Sequence, residues 1–212
     1  MVRMITLGVL ASGSGTNLQA ILDAVAHGTL QARIAVVVSN VASAQALDRA
    51  RAAGIEALVI SHKAYADRES FDAAVVTALR ERDVDLVVLA GFMRLVTSVL
   101  LDAFPMRIVN VHPALLPAFP GVHAQRQAFD YGVRIAGCTV HFVDRGTDTG
   151  PIIAQSAVPV LDGDDEHALR ERILAEEHAL LPRVLQWIAE GRVRVEPAAT
   201  PAGRTRVRVQ SG

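Results

Sequence analysis

One cysteine, Cys138, is too few for an internal disulfide or a multi-cysteine zinc site, and it points to a reducing, cytoplasmic setting. Lysine is almost missing too: all 21 basic residues but Lys63 are arginine, so a Schiff-base or phosphate-gripping lysine has to be Lys63. Aromatic residues make up only 4% of the chain. Neither sign of charge is in excess: the formal net charge is −1, with no basic surplus for nucleic acid and no acidic run for a disordered tail. No apolar stretch is long enough to span a bilayer. The first apolar run, ending at Leu10, is short and leads into a glycine-rich turn, so it reads as a strand rather than a signal peptide. Alanine, valine and leucine are abundant instead. With 51% apolar residues in 212, the chain can build one α/β domain around a large core.

The apolar pattern gives the order of elements. Ile5–Ala11 is a buried strand feeding into Ser12-Gly13-Ser14-Gly15-Thr16-Asn17, after which Leu18, Ile21, Leu22 and Val25 recur at helical spacing. Strands follow at Arg33–Ser39, Ala57–Ile60 and Val84–Ala90, with helices at Ala42–Ala53, Ser70–Arg82 and Thr97–Phe104. Ser61–Arg68 is polar and reads as a loop. Ile108–His112 is the next strand, stopped by Pro113. Three prolines and a glycine make Pro113–Gly121 a stiff loop. Ala124–Tyr131 is a helix. Gly137–Val143, the loop Asp144–Gly150 and Ile152–Val158 read as an antiparallel extension of the sheet. Asp165–Glu190 is a long helix, kinked at Pro182, and Arg192–Glu196 is a last edge strand. The fold class is therefore α/β: a single-domain, open, twisted, mostly parallel sheet with a Rossmann-like N-terminal half, flanked by helices. A loosely held tail is expected over 197–212, although Arg204–Val209 alternates and can add an edge.

Chemistry concentrates between Ile108 and Ile153. In a strand, Asn110 and His112 share a face while Val109 and Val111 point the other way. An amide donor beside a histidine at a strand's carboxyl end suits a reaction that builds negative charge on oxygen. Asp148, from the later loop, is the carboxylate expected to orient the ring and favour its charged form. His141, in the strand before that loop, is placed to line the same site, although a satisfied structural histidine is the favoured reading. His112, His141, Asp144 and Asp148 lack tight metal-ligand spacing, so no metal is expected.

The glycine turn sets backbone N–H groups at a helix N-terminus, where the dipole favours an anion. A P-loop would need a lysine here, and a dinucleotide fingerprint would need a glycine where Leu18 stands and an acidic residue where Asn40 stands. A phosphomonoester is the better fit; the competing reading is a plain turn capped by Thr16 or Asn17. Gly91-Phe92-Met93-Arg94-Leu95 lies where an open α/β sheet lines a ligand crevice, though taken alone Phe92 and Leu95 better suit a helix packed on the sheet. Glu176, Glu177 and His178 read as a solvated helix face.

These motifs together resemble phosphoribosylglycinamide formyltransferase, the folate-dependent glycinamide ribonucleotide transformylase family. The likeness covers nearly all of Ile5–Glu196. It rests on Ala11-Ser12-Gly13-Ser14-Gly15-Thr16-Asn17-Leu18, Ala90-Gly91-Phe92-Met93-Arg94, Asn110-Val111-His112-Pro113, Phe119-Pro120-Gly121-Val122-His123, Gly137-Cys138-Thr139-Val140-His141-Phe142-Val143, Asp148-Thr149-Gly150-Pro151 and Glu177-His178. The resemblance implies a formyltransferase domain over 1–196 with the formyltransferase fold, and transfer of a formyl group from 10-formyltetrahydrofolate, as co-substrate, to glycinamide ribonucleotide in purine synthesis. It implies Asn110, His112 and Asp148 as catalytic residues. Gly15, Thr16 and Asn17 would hold the ribose phosphate and Glu177 the amine end, which revises the solvated-face reading. Arg68, Met93, Arg94, Leu95, Val96, Asn110, Asp144, Arg145, Gly146, Thr147 and Asp148 would bind the folate. Relatives often carry a histidine where this chain has Gln125, and a glycine where it has Thr149.

Neither a nucleic acid nor a membrane is an expected partner. The oligomeric state is left open, a homodimer included. Two alternatives share the motifs. Another formyl-folate enzyme, the deformylase or methionyl-tRNA formyltransferase, is expected to carry an extra domain, and the deformylase a histidine where Pro113 stands. A non-catalytic phosphosugar-binding module would not need Asn110, His112 and Asp148.

Overall fold

The computed structural model describes residues 4–198 and 204–211. The chain divides into two compact units, Met1–Asn110 and Val111–Gly212.

In the first unit, β1 (Ile5–Leu10), β2 (Ala32–Ser39), β3 (Glu56–Val59), β4 (Leu86–Leu89) and β5 (Ile108–His112, which crosses the boundary) lie parallel in the order β3-β2-β1-β4-β5. The central strands are continuous apolar runs because both faces are covered: Leu7, Val9, Val36, Val37, Val87 and Val88 are all fully buried. The helices are α1 (Thr16–Ala26), α2 (Gln45–Ala52), α3 (Arg68–Arg80) and α4 (Ser98–Ala103). Helix α3 begins with a capping box, in which Asp67 accepts the Ser70 N–H and the Ser70 side chain faces the Asp67 N–H. Gly8, in the middle of β1, is required by packing: a Cβ there would run into Leu79 and Val84.

In the second unit, α5 (Ala124–Tyr131) is followed by β6 (Ile135–Phe142) and β7 (Ile152–Pro159), which pair antiparallel as expected. The whole sheet has seven strands. Helix α6 (Glu166–Ala189) packs on β6 and β7 through Leu169, Ile173, Leu180, Leu181 and Val184. β8 (Val193–Glu196) pairs antiparallel with β9 (Arg206–Val209) in a separate two-stranded sheet.

Several boundaries differ from the sequence reading. The alanine-rich run 42–53 becomes helical only at Gln45, because Ser39 and Val41 bond to each other in a turn and Ala44 N–H closes on Val41 O. The polar stretch 61–68 holds one turn of 3-10 helix at His62–Ala64. Helix α6 holds Pro182 inside its span. β6 starts earlier and is buried on both faces from Ala136 to Phe142, so alternation does not separate its two sides. Of the expected tail, 199–203 and 212 lie outside the described residues.

Candidate active site

The first unit carries the glycine turn. Gly15 is the N-cap of α1 with φ of 70°, and the first turn of α1 has neither a side-chain cap nor an acidic residue. The positive end of the helix dipole is therefore not neutralised by its own chain. Gly15 is fixed twice over: its φ is left-handed, and a Cβ would sit 2.7 Å from Cα and Cβ of Ala46. Thr16 opens α1 and Asn17 is buried behind it. Two carbonyls of the turn are held from α2: the Ala46 N–H donates to Gly13 O at 3.1 Å and Arg49 Nε–H donates to Ser14 O at 2.8 Å.

A single hydroxyl ties together the loops after β1, β2 and β4. Ser12 Oγ donates to Asn40 Oδ1 at 2.6 Å and accepts the Met93 N–H at 2.9 Å. The Ser12 N–H donates to Gly91 O at 3.0 Å. These loops leave the carboxyl ends of adjacent parallel strands where the order turns from β1 to β4, the switch point at which open α/β sheets bind ligands. Gly91–Val96 is irregular, with Met93 73% and Leu95 59% exposed, which overturns the alternative of a helix packed through Phe92 and Leu95. The Arg94 guanidinium lies 5.4 Å from the Phe71 ring centre. Thr97 N–H donates to the buried Asp72 carboxylate at 2.6 Å, pinning the far end of the segment. Arg68 is exposed at the first position of α3.

Asn110 and His112 share a face of β5 by alternation, and the ring of His112 is buried at the strand's end. In the second unit, His112 Nε2–H donates to Phe119 O at 2.8 Å, since a carbonyl can only accept. His112 Nδ1 then stands 3.4 Å from Asp148 Oδ2. The same Oδ2 accepts the Gly121 N–H at 2.7 Å. The proline-rich loop thus meets both partners, the ring through Phe119 and the carboxylate through Gly121. Thr139 anchors that loop: its hydroxyl donates to Ala114 O at 2.7 Å and accepts Leu116 N–H at 3.0 Å. Asp148 has φ of 54° in the 144–150 loop. Upstream in the loop, Asp144 Oδ1 accepts Thr149 Oγ1 at 2.7 Å and Gly146 N–H at 3.0 Å. Arg145 and Thr147 are exposed.

His141 lies next to this pair, a placement the sequence reading allowed. Its Nδ1–H donates to Phe142 O at 2.8 Å, so Nε2 faces Asp148 Oδ1 at 3.7 Å. Burial lowers its pKa below the ordinary value, and the nearby charge of His112 acts in the same direction; the Phe142 carbonyl, Asp148 and Asp144 oppose this. Spacing alone does not single this residue out, because β6 has no solvent face to mark one side.

Glu177 is 5% exposed, so the solvated-face reading of this residue is overturned. Its neighbour Glu176 accepts a hydrogen bond from Ser156 Oγ. Burial, reinforced by the charges of Glu177 and Glu176, pushes the Cys138 thiol up to about 12, leaving it protonated and unreactive. Ser12 of the glycine turn and Arg49, which has no motif of its own, also prove to organise the first unit's loops.

The family model described as Formyl transferase matches residues 6–185. The chain belongs to the formyl transferase family. It is 46% identical over 193 residues to the trifunctional purine biosynthetic protein adenosine-3 of Drosophila melanogaster, an alignment that takes in 90% of this chain but 14% of that protein. To the phosphoribosylglycinamide formyltransferase of Escherichia coli it is 41% identical over 191 residues, 90% of each chain. The crystal structure of glycinamide ribonucleotide transformylase 1 from Symbiobacterium toebii superposes with a TM-score of 0.93 at 56% identity, over 98% of this chain and 95% of that one. The mostly parallel sheet with its helices and antiparallel strands is the formyltransferase fold, and the resemblance read from the sequence motifs stands. No helix among the described residues is long and apolar enough to cross a membrane.

Proposed function

We propose that this formyl transferase moves the formyl group of 10-formyltetrahydrofolate to the amine of 5'-phosphoribosylglycinamide, giving formylglycinamide ribonucleotide and tetrahydrofolate. The observation that carries the reading is the buried His112–Asp148 pair at 3.4 Å, with the Asn110 amide two residues earlier on the same strand face, in a chain of this family.

The chemistry follows from those groups. The amine nitrogen attacks the formyl carbon, and the carbonyl electron pair moves onto oxygen. The Asn110 amide stabilises that oxyanion by donating to it, and the positive charge of the protonated His112 ring beside it adds to this. The attacking amine loses a proton and the folate nitrogen gains one as the carbon–nitrogen bond to the folate breaks and the carbonyl re-forms. His112 Nε2 is committed to Phe119 O, so Nδ1, beside Asp148, is the ring atom that handles a proton. Asp148 stabilises the charged ring and steers the proton between the two nitrogens.

In the same reading the uncapped turn at Gly15, Thr16 and Asn17 binds the substrate phosphate, and buried Glu177 binds its amine end. The family resemblance supports Arg68, Met93, Arg94, Leu95, Val96, Asn110, Asp144, Arg145, Gly146, Thr147 and Asp148 as residues that bind the folate. The buried single thiol fits a cytoplasmic enzyme. Sedimentation of the purified chain reads whether it forms a homodimer.

The test is a spectrophotometric assay of formyl transfer with glycinamide ribonucleotide and a formyl-folate, alongside an assay for released formate. Transfer to the ribonucleotide is expected. Release of formate without transfer would replace the reading with hydrolysis of the donor. Phosphosugar binding with neither reaction would replace it with a binding module.

A further inference from the structure

We infer that Arg49 is a positioning residue of the phosphate-binding turn and the source of its positive charge, making the site select a ribonucleotide over the corresponding riboside. This rests on the proposed role of Gly15, Thr16 and Asn17.

The argument begins with a missing cation. The turn has no lysine, and α1 brings no charged residue in its first turn. A phosphate dianion bound by backbone amides alone gains from the helix dipole, but a full charge close by adds more. Arg49 brings a guanidinium from α2 to the carbonyl side of the turn. Its Nε–H donates to Ser14 O at 2.8 Å and its Nη1 donates to Gln19 Oε1 at 3.1 Å. Gln19 is itself anchored by Asp23 at 2.8 Å. Among the described residues no carboxylate pairs with Arg49; the adjacent Asp48 pairs with Arg51 instead, at 2.9 Å. Among the described residues, the guanidinium charge beside the turn is therefore not neutralised by a carboxylate partner.

The peptide plane supplies the positioning. In a trans peptide the C=O and the following N–H point in opposite directions. Ala46 and Arg49 turn the carbonyls of Gly13 and Ser14 toward α2. The N–H groups of Ser14 and Gly15 are thereby turned away from α2. Gly15 packs directly on Ala46, so the turn has no room to rotate inward. Arg49 thus aims one donor and supplies one charge, and it does both without being part of a recognisable motif.

The test compares steady-state kinetics of the intact chain and R49A, R49K and R49Q on glycinamide ribonucleotide and on its dephosphorylated riboside. Inorganic phosphate binding is measured in parallel by calorimetry. A charge-assisted hydrogen bond of ordinary strength predicts a KM for the ribonucleotide ~10–100-fold higher in R49A, with phosphate affinity falling alike. The loss should fall on KM rather than kcat, and the KM for the formyl-folate and for the riboside should stay within about twofold. R49K, which keeps the charge without the planar fork, should recover part of the loss, and R49Q less. Unchanged ribonucleotide KM and phosphate affinity in R49A would overturn the inference. So would an equal loss on the riboside, which would make Arg49 a general scaffold residue. If R49A fails to fold, the R49K and R49Q pair decides by the same comparison. If the intact chain transfers no formyl group, the functional reading falls, while the phosphate titrations still decide the role of Arg49.

Discussion

His112 Nδ1 and Asp148 Oδ2 stand 3.4 Å apart, and each is also held by the backbone of one loop, the ring by Phe119 O and the carboxylate by Gly121 N–H. Two side chains from distant parts of the sequence are thus locked in register by a third segment. His112→Ala removes the imidazolium and Asp148→Asn removes the charge that supports it. Each is expected to lower kcat by at least ~10²–10³ while leaving thermal unfolding cooperative. Turnover near that of the parent in either variant, measured with saturating substrates, would remove the pair from the mechanism.

The depressed pKa of His141 makes a prediction about acid stability. Buried and held away from its charged form, the ring binds its proton less readily in the folded chain than in the unfolded one, whose ordinary value is 6.5. The unfolded state therefore takes up a proton first as pH falls. Stability from this group is complete above about 6.5 and declines as the pH drops below it toward the lower folded value. Replacing His141 with Gln should flatten the fall of Tm between neutral and mildly acidic pH. An unaltered slope in melts over that range would show that the ring does not contribute to it.

Gly15→Ala tests the turn without touching a donor side chain. The substitution places a Cβ at a φ of 70° and 2.7 Å from Ala46, so either the turn or α2 has to shift. A cost of about 1–3 kcal/mol in urea unfolding is expected. Weaker competition by inorganic phosphate should accompany it, because the amides that follow Gly15 are re-aimed. Full retention of both properties would mean that the backbone here tolerates a side chain after all.

Thr139→Val examines the support beneath the catalytic loop. The swap keeps volume but strips a fully buried hydroxyl that serves Ala114, Leu116 and, at 3.0 Å, Gln155. Leaving these groups unpaired should cost about 1–3 kcal/mol. Because the same loop carries Phe119 and Gly121, kcat should fall more than KM for either substrate. A loss of stability with kcat untouched would separate the anchor from the chemistry.

The parts of this protein legible in its sequence are those governed by local periodicity. Continuous apolar runs marked β1, β2 and β4 because strands buried on both faces need no polar residues. Alternation alone put Asn110 and His112 on one side of β5, and the proline after them set where the strand stops. The missing lysine and third glycine by themselves exclude two nucleotide-binding turns. The start of α2 was misplaced because alanine content reports helix propensity and not the Ser39–Val41 turn that delays it.

What only the tertiary structure decided is which distant groups meet. No spacing rule places His141 on the far oxygen of Asp148, since β6 is buried on both sides and shows no pattern to single it out. No motif marks Arg49, whose importance comes from a carbonyl presented by another segment. Periodicity is a property of a single element and is written in neighbouring residues. Hydrogen bonds between elements depend on how sheet, helices and loops pack, and a side chain's partner across that packing leaves no trace in the residues beside it.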